Sequence, residues 1–200
     1  MFRLSLAALL LTVGLSACAT IAPNILSPQD TADLKFTSLE VVVPPETRID
    51  WTSAEDEYLS ERKLSRTDPA LVATPEARAH LRNLAAARLK AKLERVIAER
   101  PAGTRPVRLV ATIKEVSIPS AVKRVIVGGT PSVRADIDVI DARSGALLTT
   151  YRGATGTKYA GNGVYGVIGD GLAQAMGADD LYDRAAADYA DGFGGWLKPR

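Results

Sequence analysis

Residues 75 to 99 limit most strongly what this chain can fold into. Leu81, Ala85, Leu89, Leu93 and Ile97 recur every four residues, and Leu84 and Val96 widen the same stripe. That is the period of a helix with one face against a core. Thr74 stands where a helix cap belongs, Pro75 suits the first turn, and Glu76 complements the positive end of the helix dipole. Arg95 and Arg100 complement the negative end, and Pro101 and Gly103 stop the helix. The opposite face carries Arg78, Arg82, Arg88, Lys90 and Lys92. A helix this one-sided needs a second layer to bury its stripe.

The flanking segments supply that layer as a sheet. Phe36 to Val43 reads as a first strand stopped by Pro44-Pro45, with Leu39, Val41 and Val43 alternating against Ser38, Glu40 and Val42. Residues 46 to 73 are strongly charged from Ser53 to Asp68, with a short candidate helix around Glu55 to Leu64. Beyond the long helix, Val107, Leu109, Ala111 and Ile113 alternate with polar neighbours in a run reaching Ile118. Val122 to Val127 is β-branched enough to read as a further short strand. Val133, Ala135, Ile137 and Val139 alternate with Arg134, Asp136 and Asp138, which describes a strand with one wet face. Asp141-Ala142-Arg143-Ser144-Gly145 then turns the chain, and Ala146 to Tyr151 returns as a hairpin partner. Gly153 to Gly177 is glycine-rich, and a last helix runs from about Asp179 to Trp196, with Leu181, Tyr182, Ala185, Ala186, Tyr189 and Phe193 on one side. The expected fold is one α+β domain over residues 35–200, sandwich-like, with helices packed on a mostly antiparallel or mixed sheet.

The first residues belong to a different category. Met1 and Phe2 precede a single charge at Arg3, and an apolar run extends from Leu4 to Leu15. It is shorter than the roughly 20 residues a spanning helix needs, and it fits the core of a secretory signal over residues 1–17. Leu15-Ser16-Ala17-Cys18 resembles the lipobox of bacterial lipoproteins at all four positions. The resemblance implies that Cys18 is lipidated, with cleavage just before it and acylation of the new amino group. Cys18 is the only cysteine, so a structural disulfide has no partner. Several acyl chains hold a protein on a membrane where one binds marginally. Ala19 and Thr20 follow, not the Asp that retains many enterobacterial lipoproteins in the inner membrane, so the resemblance implies the outer membrane, facing the periplasm. Residues 18–34, with Pro23 and Pro28 and no sustained period, read as a tether.

Little in the chain suggests catalysis. The balance of 25 basic and 23 acidic residues, one of the basic ones being Arg3 of the leader, argues against a dedicated nucleic-acid protein. His80 is the sole histidine and has no nucleophile at triad spacing. One His and one lipidated Cys leave no zinc set, and Asp136, Asp138 and Asp141 lack the spacing of a calcium loop. Gly161-Asn162-Gly163-Val164-Tyr165-Gly166 spells a dinucleotide fingerprint, but it follows a hairpin with no later strand to cross to, so no cofactor is expected. The segment Gly161 to Met176 has a second reading. Val164, Tyr165, Val167 and Ile168 interleave with glycines and are candidates for partner contact, against the alternative that they pack on the protein's own core.

Together, the lipobox, the basic amphipathic helix, the hairpin and the last helix with Ala185-Ala186-Ala187-Asp188-Tyr189-Ala190 resemble small uncharacterised lipoproteins of proteobacterial envelopes. In element order, over about residues 36 to 197, the chain is similar to the α/β domains of curli-secretion-type and Tol-type periplasmic lipoproteins. The resemblance implies a membrane-anchored interaction or assembly module that binds another envelope protein, not an enzyme. A periplasmic hydrolase with an unrecognised site and an auxiliary transporter subunit are the alternatives. Convergent carboxylates in a cleft would favour the hydrolase, and an exposed apolar patch would favour the module.

Overall fold

A computed structural model of the chain describes residues 21–65, 68–157, 168–169 and 180–198. The elements are α1 (Pro28–Ala32), β1 (Leu34–Val42), β2 (Arg48–Trp51), α2 (Thr52–Glu61), α3 (Pro75–Ala98), β3 (Arg105–Ile118), α4 (Ala121–Ile126), β4 (Ser132–Asp141), β5 (Leu147–Tyr151), β6 (Thr155–Thr157) and α5 (Leu181–Trp196).

The fold is the expected α+β domain, built on a mixed six-stranded sheet. Two long antiparallel strands, β3 and β4, form its middle, and each outer strand is broken in two. β1 lies parallel to the first part of β3, from Leu34 opposite Arg105 to Val42 opposite Thr112. Pro44-Pro45 interrupts the ladder, and β2 resumes it from Arg48 opposite Glu115 to Trp51 opposite Ile118. On the other side β5 pairs with Ile137 to Ile140 and β6 with Ser132 to Arg134, both antiparallel.

Alternation decides which face is covered. Val107, Leu109, Ala111, Ile113, Val133, Ala135, Ile137 and Val139 are at most 1 % exposed and point toward α3 and α5. On the other face Val110 stands opposite Asp138 and Thr112 opposite Asp136. Arg134 pairs there with Glu115 at 3.1 Å, and Thr150 Oγ1 donates to Asp138 Oδ1 at 2.7 Å.

In α3 the predicted stripe is the buried one, with Leu81, Ala85, Leu89, Leu93 and Val96 inside and Thr74 Oγ1 accepting from Ala77 N. Helix α5 is fixed to both layers. Tyr182 donates to the Ala85 carbonyl at 2.6 Å and Tyr189 to the Ala135 carbonyl at 2.7 Å. Burial pushes both phenol pKa values upward, so the hydroxyls remain protonated donors. At Gly156 of β6 an added Cβ would come within 2.3 Å of the Ala185 carbonyl, so the closeness of strand and helix requires glycine.

Four expectations need correction. The tether read over residues 18–34 is not free from Ala22 onward. Ala22 N donates to Arg152 O at 3.0 Å, Trp196 Nε1 donates to Ala22 O at 2.7 Å, Ser27 caps α1, and Leu34 is 2 % exposed. Val122 to Val127 forms helix α4, because Ser120 Oγ accepts from Lys123 N and starts a turn that outweighs β-branched propensity. Strand β2 falls at the start of the stretch 46–73, whose sequence predicts no strand, and β6 falls in the glycine-rich segment. Both are short edge pieces whose pairing comes from the long neighbour and not from their own pattern.

The hairpin turn is held electrostatically. Asp141 Oδ1 accepts from Arg143 N and Ser144 N at 3.0 Å each, while Oδ2 accepts from Arg105 Nε at 3.0 Å. The bond from Ser144 N, then that from Arg105, hold the Asp141 carboxyl well below the usual carboxylate range. Asp33 is lowered in the same way by Thr104, whose N and Oγ1 donate to it at 2.9 and 2.8 Å.

Two predictions follow from this packing. Leu89→Ala and Leu93→Ala, each replacing a side chain with 0 % exposure, should destabilise the fold by about 2–5 kcal/mol. Lys90→Ala, on the exposed face, should cost within about 0.5 kcal/mol; denaturant titration of the three variants separates the two cases. Because Asp33 and Asp141 bind protons less readily folded than unfolded, their stabilisation is present above the ordinary carboxylate pKa of about 4 and is lost as pH falls below it. Melting temperature should therefore drop most steeply below about pH 4, and Asp141→Asn should flatten that dependence while lowering the plateau at neutral pH.

Candidate functional site

Helix α4 sits where β3 ends and β4 begins, and its amphipathicity is reversed. A short surface helix ordinarily turns its apolar side chains to the core and its charges to water. Here Val122, Val125, Ile126 and Val127 are 67 %, 39 %, 76 % and 77 % exposed, while Arg124 is 5 % exposed. Lys123 Nζ is held by Asp50 Oδ2 of β2 at 2.6 Å. The charged side chains thus fasten the helix to the body, and the aliphatic ones form a ledge. Gly128 and Gly129, with φ of 81° and 138°, turn the chain from the helix toward β4. Pro119 packs against the Gly129 side of that turn, within 3.3 Å of where a Cβ would stand.

Behind the ledge the body is rigidly tied. Trp51, at the end of β2, stacks on Tyr182 with ring centroids 4.2 Å apart, and Arg88 lies over the Trp51 ring at 5.2 Å. Arg88 also pairs with Asp180, the residue capping α5, and with Asp183 at 3.5 Å. The ledge therefore rests on a fixed corner where β2, β3, α4 and the start of α5 meet.

The sequence candidates are distributed differently. Cys18 and its lipobox lie outside the described residues, as do Val164, Tyr165 and Val167. Ile168 is described together with Gly169 as a helical pair, and it is 54 % exposed. His80 packs against Tyr58, with ring centroids 5.0 Å apart. Among the described residues no group of three or more His, Cys, Asp or Glu side chains is arranged to hold a metal ion, and no helix is long and apolar enough to cross a membrane. Sequence reasoning missed the ledge because it took residues 122 to 127 for a strand. The available signal was Ser120 three residues before Lys123, followed by apolar residues at 122, 125 and 126.

No protein-family model and no curated protein matches the chain. Among solved structures it is similar to an inferred lipoprotein from Caulobacter crescentus CB15, with 19 % identity and a TM-score of 0.35 over 58 % of this chain and 85 % of that one. It is also similar to the PelC dodecamer from Paraburkholderia phytofirmans, with 18 % identity and a TM-score of 0.33 over 90 % of this chain and 95 % of that one. A single-residue variant of the same PelC, in another crystal form, gives 18 % identity and a TM-score of 0.39. At such identities and scores these likenesses carry no argument about function.

The ledge makes a prediction about stability. Val122→Ser and Ile126→Ser should each change stability within about 0.5 kcal/mol, since neither side chain is buried. Arg124→Ala, which removes the inward-facing fastening, should cost more, on the order of 1–3 kcal/mol. Thermal melts of the three variants test the orientation of α4 directly.

Proposed function

We propose that this chain is a lipid-anchored protein of the bacterial cell envelope that acts as an interaction or assembly module, docking another envelope protein through α4. One observation carries the docking: the reversed amphipathicity of α4, which leaves Val122, Ile126 and Val127 more than half exposed on a rigid corner. Exposed aliphatic side chains clustered on one short helix have no benefit for the isolated fold, and burying them against a partner gains roughly 25 cal/mol per Å². The occupant that fits is an apolar groove of a protein. A lipid surface fits less well, because Lys123 is taken by Asp50 and Arg124 is turned inward, so the helix offers no outward cation to headgroups.

The anchor rests on the sequence. The Leu15-Ser16-Ala17-Cys18 run supports lipidation of Cys18, and Ala19-Thr20 supports the periplasmic side of the outer membrane over the inner membrane. This reading assigns no catalytic residue and no cofactor.

Two variants test the two halves separately. Cys18→Ser should leave the protein soluble in the periplasm or unprocessed; if it fractionates with the outer membrane like the unaltered chain, the lipid anchor is wrong. Val122→Ser/Ile126→Ser should keep its membrane fraction and melting temperature but lose a crosslinked species that the unaltered chain and Lys90→Ala both form in intact cells. An unchanged crosslinking pattern would remove α4 as the docking surface.

A further inference from the structure

A cavity of about 410 Å³ lies on the body between β2, α2 and the first half of α3, and it is lined by Arg48, Arg78 and Arg82. Two of these come from successive turns of one helix face and the third from the facing edge strand. Many of the arginines among the described residues have a fixed partner. Arg62, Arg88, Arg95, Arg105, Arg134 and Arg152 form ion pairs with carboxylates, and Arg100 donates to the Leu197 carbonyl. Among the described residues Arg48, Arg78 and Arg82 form no such bond, although Glu46 and Glu55 line the same cavity. Those two carboxylates stay beyond ion-pair distance of the arginines, so three arginines line one hollow with their guanidinium groups unpaired. Unpaired guanidinium groups lining one concave surface raise the local concentration of anions there.

From this we infer that the cleft binds a small ligand bearing an oxyanion, a carboxylate or a phosphate, gripped by Arg48, Arg78 and Arg82. Guanidinium is suited to that task because its planar donors match both anions bidentately. The volume lies within the range of small-molecule sites, about 300–1,000 Å³. Leu81 and Ile49 supply apolar wall for the carbon skeleton of the ligand. Glu55 adds a polar group for a hydroxyl, and burial, then repulsion from Asp50 and Asp56, make it hold its proton more readily than an ordinary glutamate. The site is independent of the α4 ledge, since the two share no residue.

Isothermal titration of the full-length protein in neutral detergent, with glucuronate, glycerol 3-phosphate and uncharged glucose as separate probes, tests it. At least one of the two anions should bind while glucose does not, and which one binds tells carboxylate from phosphate. Arg78→Gln/Arg82→Gln, and Arg48→Gln from the opposite wall, should each weaken that binding by about tenfold or more. Arg108→Gln and Arg143→Gln, whose side chains likewise form no ion pair among the described residues but lie outside the cavity, should leave it unchanged. All of these side chains lie on the surface or at a cavity edge, and an unchanged melting temperature confirms that each variant folds. Absence of binding by both anions overturns the proposal, and so does equal weakening by Arg108→Gln.

Discussion

Strand β3 is hydrogen-bonded on both edges for nearly all of its 14 residues, and every other element takes its position from it. One edge holds β1 and then β2 in parallel; the other holds β4, which in turn carries β5 and β6. The inward residues of β3 are Val107, Leu109, Ala111 and Ile113, then, after a bulge at Lys114, Val116 and Ile118. Each large aliphatic among them is worth roughly 1.5–3 kcal/mol when fully buried. The central strands are long enough that both outer strands can be interrupted and then resume pairing in a shifted register. The first residue of β3, Arg105, reaches the carboxylate of Asp141 and so ties the start of β3 to the turn after β4.

The parts of this architecture that were legible in the sequence are those whose pattern repeats over several turns or pairs. The α3 stripe from Leu81 to Leu93, the alternation of Val133 to Val139, and the turn from Asp141 to Gly145 all carry their own period or turn chemistry. The short pieces were not legible. β2 is four residues, of which two are charged, and it is a strand because Glu115 to Ile118 present a free edge to it. Residues 22 to 33 looked like linker because their partners are remote in sequence. Trp196 closes on Ala22 across 174 positions, and no local pattern announces that. At the candidate site the composition of α4 was visible, but the direction of its side chains was not. That direction depends on Asp50, which lies 73 residues earlier and captures Lys123.

Two buried phenols of α5 are placed by the same rule. The hydroxyls of Tyr182 and Tyr189 go inside only where a backbone carbonyl of another element receives them, Ala85 in one case and Ala135 in the other. Those two bonds also fix how α5 lies across the sheet, so helix placement and polar satisfaction are one arrangement. Tyr151, Phe193 and Trp196 fill the remaining space with tilted or stacked rings 5.2 to 6.1 Å apart. Both sides of the α5 interface are therefore specified by directional contacts as well as by area.

The hydrogen bond from Trp196 to Ala22 has a geometric consequence for an anchored molecule. Trp196 ends α5, whereas the cap at the start of α5, Asp180, lies with Leu181 around the same hollow as Ala121 and Arg124 of α4. The 16 residues of α5 span about 24 Å. Four peptide steps from Ala22 back to Cys18 reach at most about 14 Å. If Cys18 carries the lipid, the domain is held on a short leash by one pole of α5, and the aliphatic ledge is borne at the other. Such a molecule would carry its apolar surface about one helix length from its tether.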